Sequence, residues 1–387
     1  MNDSSSSLVV FLVAVPVFIS TIALEWWVAR RRARAELYEI ADTMTNLHLG
    51  SGQLLISVLT KAPLLALYHL IYQQGHHWGI PSWDTENLWL WILGFLVMDC
   101  AYYWFHRFSH EINFLWAAHA VHHQSEYYNL SVALRQSWVQ QIFSGIFYLP
   151  LAVLGIPTEM FFLLNAMNTL SQYWIHTQLI GHLGVLEHFL NTPSHHRVHH
   201  GTDDPYVDKN YAGALIIWDR MFGTFIAEDQ SPRYGVIKPL RSWNPVWANL
   251  DIWRFMWARM KGGELSLIQS LSLPFRAPAW RGESESPLQI TLRTDEGYEL
   301  FDARDTKLIA YGVTMGLIDI SAGALLIAAS PSLTPLYVWA GVIALLCSAM
   351  IHNGMIEGRS WAKRAEALRI LLIVVFAFWF WLNGSLI

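Results

Sequence analysis

Long apolar segments recur along this chain, and they constrain its fold more than any other feature. A helix needs about 20 mostly apolar residues to cross the hydrocarbon core of a membrane. The segments that approach this length are 8–28, 52–73, 88–105, 138–156, 158–176, 305–329, 335–351 and 367–386. The fourth and fifth meet at Gly155, Ile156 and Pro157, so one re-entrant hairpin is the alternative to two spans here. We therefore predict an all-α integral membrane protein with about eight transmembrane or re-entrant helices.

The composition agrees with a chain that is partly dissolved in lipid. Charged residues make up 14% of the sequence, whereas a soluble domain carries about a quarter. The 20 Trp and 15 Tyr supply amphipathic rings of the kind that gather at membrane interfaces. A net charge of −5 argues against a nucleic-acid partner. Cys100 and Cys347 both lie in apolar segments, so a structural disulfide is not expected.

Basic residues predict the orientation of the chain in the membrane. Arg30, Arg31, Arg32 and Arg34 follow the first apolar segment, which places that end in the cytosol by the positive-inside rule. Counting segments from this point places residues 106–137, 177–304 and 352–366 in the cytosol, with every histidine between 106 and 200 near the cytosolic surface of the membrane.

The distribution of polar residues predicts two domains. Residues 1–300 are expected to form a membrane domain with a polar cytosolic cap at 201–300. Residues 301–387 hold three apolar segments with few chemistry-bearing groups, and we interpret them as accessory transmembrane helices.

Histidine is the residue type that points to chemistry. The chain has 17 His, and eight of them lie in three clusters. Residues three or four apart in a helix share a face. The clusters are His106 with His110, His119 with His122 and His123, and His196 with His199 and His200. His176 is a plausible ninth ligand at the end of the fifth segment. Imidazole binds iron, zinc, copper and nickel. Eight or nine imidazoles suit two metal ions, and each cluster could offer its two or three imidazoles to a common point. A structural zinc site is disfavoured because it wants four ligands, usually including Cys.

Other polar residues are candidates to support these ligands. Asp99 lies seven residues before His106, on about the same helix face, and is predicted to accept the second N–H of a ligand histidine. His195 adjoins the third cluster. In the cap, Asp208, Asn210 and Asp219 are predicted to do similar supporting work.

The clusters resemble those of the fatty acid hydroxylase superfamily of membrane di-iron oxygenases, which includes sterol desaturases. Longer strings are similar to the alkylglycerol monooxygenases within that superfamily. These strings are His106–Glu111, Tyr128–Ser131, Ala133–Ser137, Leu190–Gly201, Asp208–Gly213 and Ile217–Asp219. The resemblance covers residues 90–230 strongly and the rest in outline.

The resemblance implies two non-haem iron ions, molecular oxygen as co-substrate and a cytosolic di-iron cap. It implies hydroxylation of the ether-bearing carbon of an alkylglycerol taken from the bilayer, with tetrahydrobiopterin or another tetrahydropterin as electron donor. In the proteins it resembles, the glutamate directly after the first histidine cluster is tied to pterin use, and the corresponding residue here is Glu111. The membrane would be the endoplasmic reticulum in a eukaryote or the inner membrane in a bacterium.

The residues by themselves leave alternatives open. The chain has neither a dinucleotide-binding fingerprint nor a haem-attachment motif, so electrons would come from a separate donor protein or a diffusing reductant. A sister enzyme acting on sterols, fatty-acyl chains or amino-lipids, by hydroxylation or desaturation, would carry the same clusters. A metal transporter or a His-ligated haem protein is the non-enzyme alternative.

Overall fold

The computed structural model describes residues 3–280 and 305–383. Within these residues the chain forms no β-structure other than one antiparallel bridge between Leu190 and Leu215, as expected for an all-α protein. In chain order the α-helices are α1 (Asp3–Arg31), α2 (Ile40–His77), α3 (Leu88–Glu111), α4 (Asn113–His123), α5 (Gln140–Val153), α6 (Thr158–Ser171), α7 (Pro193–His199), α8 (Ile217–Phe222), α9 (Pro245–Lys261), α10 (Leu267–Ser272), α11 (Thr306–Ala329), α12 (Pro335–Ile356) and α13 (Ser360–Asn383).

Four helical segments of the described chain are long and apolar enough to cross a membrane. They are Ala35–His77, Leu88–Glu111, Thr306–Ser332 and Pro335–Ile356. The apolar segments at 8–28 and 367–386 fall largely within α1 and α13, which are not among these four, and residues 384–386 lie outside the described part of the chain. The structure therefore supports a multi-helix membrane protein, and the count of about eight spans stays a prediction.

Helices α5 and α6 are short. Each has 14 residues, or about 21 Å, which is less than the roughly 30 Å of a hydrocarbon core. The chain reverses between them at Gly155, where φ is +87°, a backbone conformation that favours glycine. This geometry matches the re-entrant hairpin rather than two separate spans.

A hydrophobic core between α2, α3, α5 and α6 holds the hairpin against the longer helices. Tyr68 of α2 stacks on Phe161 of α6 with ring centroids 4.2 Å apart, and its hydroxyl donates to the Ile156 carbonyl at 3.0 Å. Met98 of α3 and Leu151 of α5 are buried in the same core. The core thereby fixes α3, whose last two turns carry the first histidine cluster.

The C-terminal helices pack on the N-terminal part of the chain. Both α11 and α12 lie against α2. Their approach is close: a Cβ atom at Gly316 of α11 would lie 2.9 Å from the His48 Nε2 of α2, so only glycine fits there without displacing the ring. The predicted domain boundary at 300/301 lies outside the described residues, as does the part of the predicted cap from 281 to 300.

Candidate metal centre

The structure brings the nine candidate histidine ligands together. They form two groups, and within each group one ligand nitrogen per residue lies within 4.8 Å of all the others. The first imidazole group is His106, His110, His119, His123 and His199, and the second imidazole group is His122, His176, His196 and His200. All nine side chains are buried.

The two groups do not follow the sequence clusters, because two of the three clusters are divided. Helix α4 gives His119 and His123 to the first group but turns His122 to the second. The third cluster is divided in the same way, with His199 in the first group and His196 and His200 in the second. The prediction that each cluster directs its imidazoles to a common point is therefore wrong for these two clusters. The groups adjoin, since the rings of His123 and His200 stack 4.4 Å apart.

Four of the imidazoles bind a main-chain carbonyl through Nδ1. His122 contacts the Arg135 oxygen at 3.0 Å and His176 the Gln172 oxygen at 2.8 Å. His106 and His199 make the same kind of contact. A carbonyl oxygen only accepts hydrogen bonds, so Nδ1 carries the proton in each ring. In the neutral imidazole, Nε2 is then a bare lone pair directed into the group.

These bare nitrogens face each other. The Nε2 atoms of His122 and His176 are 3.2 Å apart, and neither has a proton to donate, so the contact is not a hydrogen bond. Burial lowers the pKa of His122 well below its usual value, and the nearby His176 lowers it further. These shifts favour the neutral ring, so a proton shared between the two Nε2 atoms does not explain their contact. A metal cation between the lone pairs satisfies both, and the donor set therefore fits a metal ion.

Further buried nitrogens have no hydrogen-bond partner in the described structure. They include Nε2 of His110, His199 and His200, all members of the two groups. Buried polar atoms normally have a partner, and a metal ion is the partner that the surrounding lone pairs suit. Neither group includes a carboxylate or a thiolate.

One short segment, 208–211, supplies outer partners to three imidazoles of the first group. The Lys209 oxygen binds His199 Nδ1 at 3.0 Å, and the Tyr211 oxygen binds His106 Nδ1 at 2.7 Å. An Asp208 carboxylate oxygen lies 3.5 Å from His110 Nδ1. The structure thus brings Asp208 to a candidate ligand, as its predicted supporting role requires.

Asn210 fastens this segment without touching a candidate ligand ring. Its amide donates to the carbonyls of His195 and Ile226 at 3.1 and 2.7 Å. Both Asp208 and Asn210 adopt a positive φ, at 58° and 54°, which Asp and Asn tolerate better than most residues. The ring of His195 packs against Phe225 and belongs to neither imidazole group.

Asp99 does not accept a hydrogen bond from a histidine, contrary to the prediction. Its carboxylate accepts from the side chains of Asn168 and Trp218 at 2.6 and 2.9 Å, and from the backbone of Ala214 and Leu215. Asp99 lies on the inner face of α3, as the seven-residue spacing predicted, but hydrogen bonds from the segment 214–218 occupy its carboxylate. Asp99 thus acts on the backbone that follows the segment 208–211.

Asp219 holds the same stretch of backbone. It accepts from the backbone N–H groups of Tyr211 and Ala212, both at 2.8 Å. The Tyr211 carbonyl binds His106, so Asp219 supports this candidate ligand indirectly, by holding the backbone that binds it. Burial raises the pKa of Asp219 to about 6.

Glu111 lies outside both groups. Its carboxylate accepts from Arg107 Nε at 2.8 Å, and 41% of its side chain is exposed. The residue is therefore accessible to a soluble molecule, and its tie to a reductant stays a prediction.

Sequence reasoning missed two supporting side chains. Gln140 binds His119 Nδ1 through its amide oxygen at 2.8 Å. Arg135, whose carbonyl binds His122, is itself buried and donates to Asn46 of α2 at 2.9 Å. Asp42 lies 3.6 Å from the Arg135 guanidinium. A charged residue inside the string Ala133–Ser137 was the available signal.

An apolar groove of about 540 Å³ runs between α3 and α5, lined by Val97, Trp104 and Phe147 among others. Trp104 and His106 are two residues apart on α3, which is about 200° around the helix axis. The groove therefore opens on the side of α3 that faces away from the imidazoles, and it is not part of the metal centre.

Comparison of the sequence with known proteins assigns the chain to a family. The fatty acid hydroxylase family model matches residues 91–224, a range that contains all nine histidines. An alkylglycerol monooxygenase of Xenopus tropicalis is 37% identical over 342 residues, which cover 87% of this chain and 75% of that protein. The chain belongs to the fatty acid hydroxylase family.

Other relatives within the fatty acid hydroxylase family carry the same name. Alkylglycerol monooxygenase of Danio rerio is 45% identical over 268 residues, and that of Homo sapiens is 42% identical over 274 residues. Both alignments cover 69% of this chain, which spans 59% of the length of these two proteins. No solved structure matches the chain.

Proposed function

We propose that this chain is a membrane monooxygenase that hydroxylates the ether-bearing carbon of an alkylglycerol. The observation that supports it is the pair of adjoining imidazole groups with lone pairs directed inward. This pair occurs in a chain that is 37% to 45% identical to three proteins named alkylglycerol monooxygenase.

The two groups are proposed to hold two non-haem iron ions. The first offers five imidazoles and the second offers four, and imidazole is a suitable iron ligand. When bound, the irons would supply the chemistry that activates dioxygen for insertion of one oxygen atom into a C–H bond. The reaction would consume dioxygen, two electrons and two protons and release the second oxygen atom as water, and the hydroxylated ether would break into an aldehyde and glycerol.

The chain's own residues prepare the site for that chemistry. The carbonyls of Gln172, Lys209 and Tyr211 fix the tautomer and direction of their imidazoles. Burial of all nine rings excludes water, which strengthens electrostatic interactions within the site. Electrons are proposed to come from a tetrahydropterin or from a separate donor protein.

The metal centre is proposed to face the cytosol. Arg30 and Arg31 end α1, and the positive-inside rule places such a cluster on the cytosolic side. A cysteine label at Ser231, which is exposed and three residues after Glu228, should react from the cytosolic side of sealed vesicles. Reaction from the opposite side would overturn this orientation.

The test of the function uses the full chain, purified and loaded anaerobically with iron. We expect two irons per chain and formation of a fatty aldehyde from 1-O-alkylglycerol when dioxygen and a tetrahydropterin are added. A 1-acylglycerol, which lacks the ether carbon, is the matched control and should give no aldehyde.

The possible failures separate the parts of the proposal. Iron binding with oxidation of a sterol or an amino-lipid instead would leave the oxygenase and remove the ether-lipid substrate. A Soret band would indicate a haem protein. One metal ion or none after loading would remove the di-iron centre.

A further inference from the structure

Helix α10 and the turn after it expose large apolar side chains. Four of them, here called the α10 patch, are between 62% and 79% exposed: Leu267, Ile268, Leu271 and Phe275. Removing such side chains from water is favourable, and contiguous apolar surfaces mark sites of interaction. At six residues, α10 is too short to register as an apolar span, and it lies within the predicted polar cap.

The patch is fixed at the level where α3 ends. Asn113, two residues after the end of α3, donates its backbone N–H to the Arg276 carbonyl at 2.9 Å and its side-chain amide to the Leu273 carbonyl at 3.3 Å. The rings of Phe114 and Phe275 lie 5.6 Å apart. Because α3 is one of the membrane-length helices, its end marks one surface of the bilayer.

Helix α9 lies at the same level. Its Trp253 contacts Phe143, with ring centroids 6.2 Å apart, and Phe143 is in the first turn of the apolar helix α5. Phe143 also lies 5.7 Å from Phe114. Two independent sets of contacts thus place the segment 245–280 at the membrane surface.

The charges of this segment suit an anionic surface. Residues 245–280 contain four basic and two acidic residues. Arg254, Lys261 and Arg276 each lie over a tryptophan ring, at 4.7, 4.6 and 5.3 Å from its centroid. Tryptophan is typical of the headgroup region, and cations there attract anionic phosphates.

We propose that α9 and α10 form an interfacial membrane-binding surface. The α10 patch inserts among the acyl chains of the leaflet next to the metal centre, and Arg254, Lys261 and Arg276 contact anionic lipid phosphates. The surface borders the candidate site, because Phe143 lies one helical turn after Gln140, which binds His119. This inference depends on the membrane helices and not on the proposed reaction.

The test places a fluorescent label at Ile268→Cys in the full chain, reconstituted in lipid nanodiscs, after Cys100→Ser and Cys347→Ser. The matched control is Ser231→Cys, an exposed polar position elsewhere in the described part of the cap. We expect lipids with a nitroxide on the acyl chain to quench the label at 268 and not at 231, and aqueous iodide to do the reverse. Equal quenching of both labels by iodide would overturn the proposal.

The lipid chemistry is tested with the variant Lys261→Gln/Arg276→Gln. In the parent, quenching by the acyl-chain nitroxide should be stronger in discs that contain phosphatidylglycerol than in pure phosphatidylcholine. The double variant should lose this difference, since each cation contributes roughly a fivefold preference for an anionic surface. A parent without the difference, or a double variant that keeps it, would show that the cations do not select anionic lipid.

Discussion

The metal centre and a polar cluster among the C-terminal helices both bury histidine, yet their partners differ in kind. In the metal centre, neutral carbonyl oxygens occupy the outer nitrogens of several rings and leave the inner ones free. In the C-terminal cluster, His352 of α12 has a carboxylate on each side. Its Nδ1 lies 2.5 Å from Asp319 of α11 and its Nε2 lies 3.4 Å from Glu366 of α13.

This difference teaches which buried histidines are available to a metal ion. Glu366 also accepts two hydrogen bonds from Arg369, both at 2.7 Å, so the carboxylates of the C-terminal cluster have their partners within that cluster. Among the described residues, His352 belongs to no group of three or more converging metal-binding side chains. Burial alone therefore does not mark a candidate metal ligand, whereas converging lone pairs do.

The largest expected effect comes from removing a candidate ligand. His123→Ala should lose iron, and activity should fall by more than about a hundredfold, since even an outer partner of a ligand is worth 10- to 100-fold. Metal analysis and aldehyde assays measure both. His77→Ala, at the far end of α2, is the control and should change neither. A His123→Ala variant with two irons would remove the distinction between the two clusters.

The C-terminal cluster should respond in stability and not in metal content. His352→Leu leaves the buried Asp319 without its hydrogen-bond partner, and an unsatisfied buried polar group costs about 1–3 kcal/mol. Thermal unfolding in detergent should shift downward while iron stays at the parent level. The double variant His352→Leu/Asp319→Asn should recover part of the loss. Loss of iron from the folded single variant would mean that the two regions are not independent.

A change that reaches one imidazole group alone would sharpen the comparison further. Asp42→Asn weakens the contact with Arg135, whose carbonyl binds His122 of the second group. The metal affinity of that group should fall about 10- to 100-fold, so a titration should show one tight and one weakened iron. Glu36→Gln, which alters an exposed ion pair, should leave both sites tight. Equal weakening of both sites would contradict separate support.

The smallest effect is expected at Glu111, which is outside both clusters. Glu111→Ala should keep its iron, and the apparent affinity for tetrahydropterin should fall by roughly ten- to a hundredfold, as for a charge-assisted hydrogen bond. Arg107→Gln removes the same ion pair and keeps the carboxylate, so it should bind pterin more tightly than Glu111→Ala does. Loss of iron in Glu111→Ala would assign the residue to support of the metal site.

Helical spacing predicted eight members of the two imidazole groups, and the position of His176 at the end of the fifth apolar segment predicted the ninth. It did not predict how the clusters divide, because spacing tells which residues share a face of one helix and not which faces of different helices meet. His122 and His123 are adjacent in sequence, and tertiary packing sends them to different groups.

Other features left little signal in the sequence. The carbonyls that fix the imidazoles belong to the main chain, which is chemically the same at every position. Asp42 and Arg135 are far apart in the chain, and Asp319 lies alone in an apolar segment that we interpreted as poor in chemistry. The sequence did not predict the α10 patch, because α10 is six residues long and a membrane-spanning helix needs about 20 apolar residues.

The segment 208–211 has a consequence for variation in this protein. Lys209 and Tyr211 bind their imidazoles through backbone oxygens, and any amino acid at position 209 would present the same oxygen. Exchange of the side chain at position 209 should be tolerated during evolution or protein engineering, whereas a one-residue deletion would shift both oxygens out of register. At this position, chain length is the heritable property that the centre requires, and amino-acid identity is not.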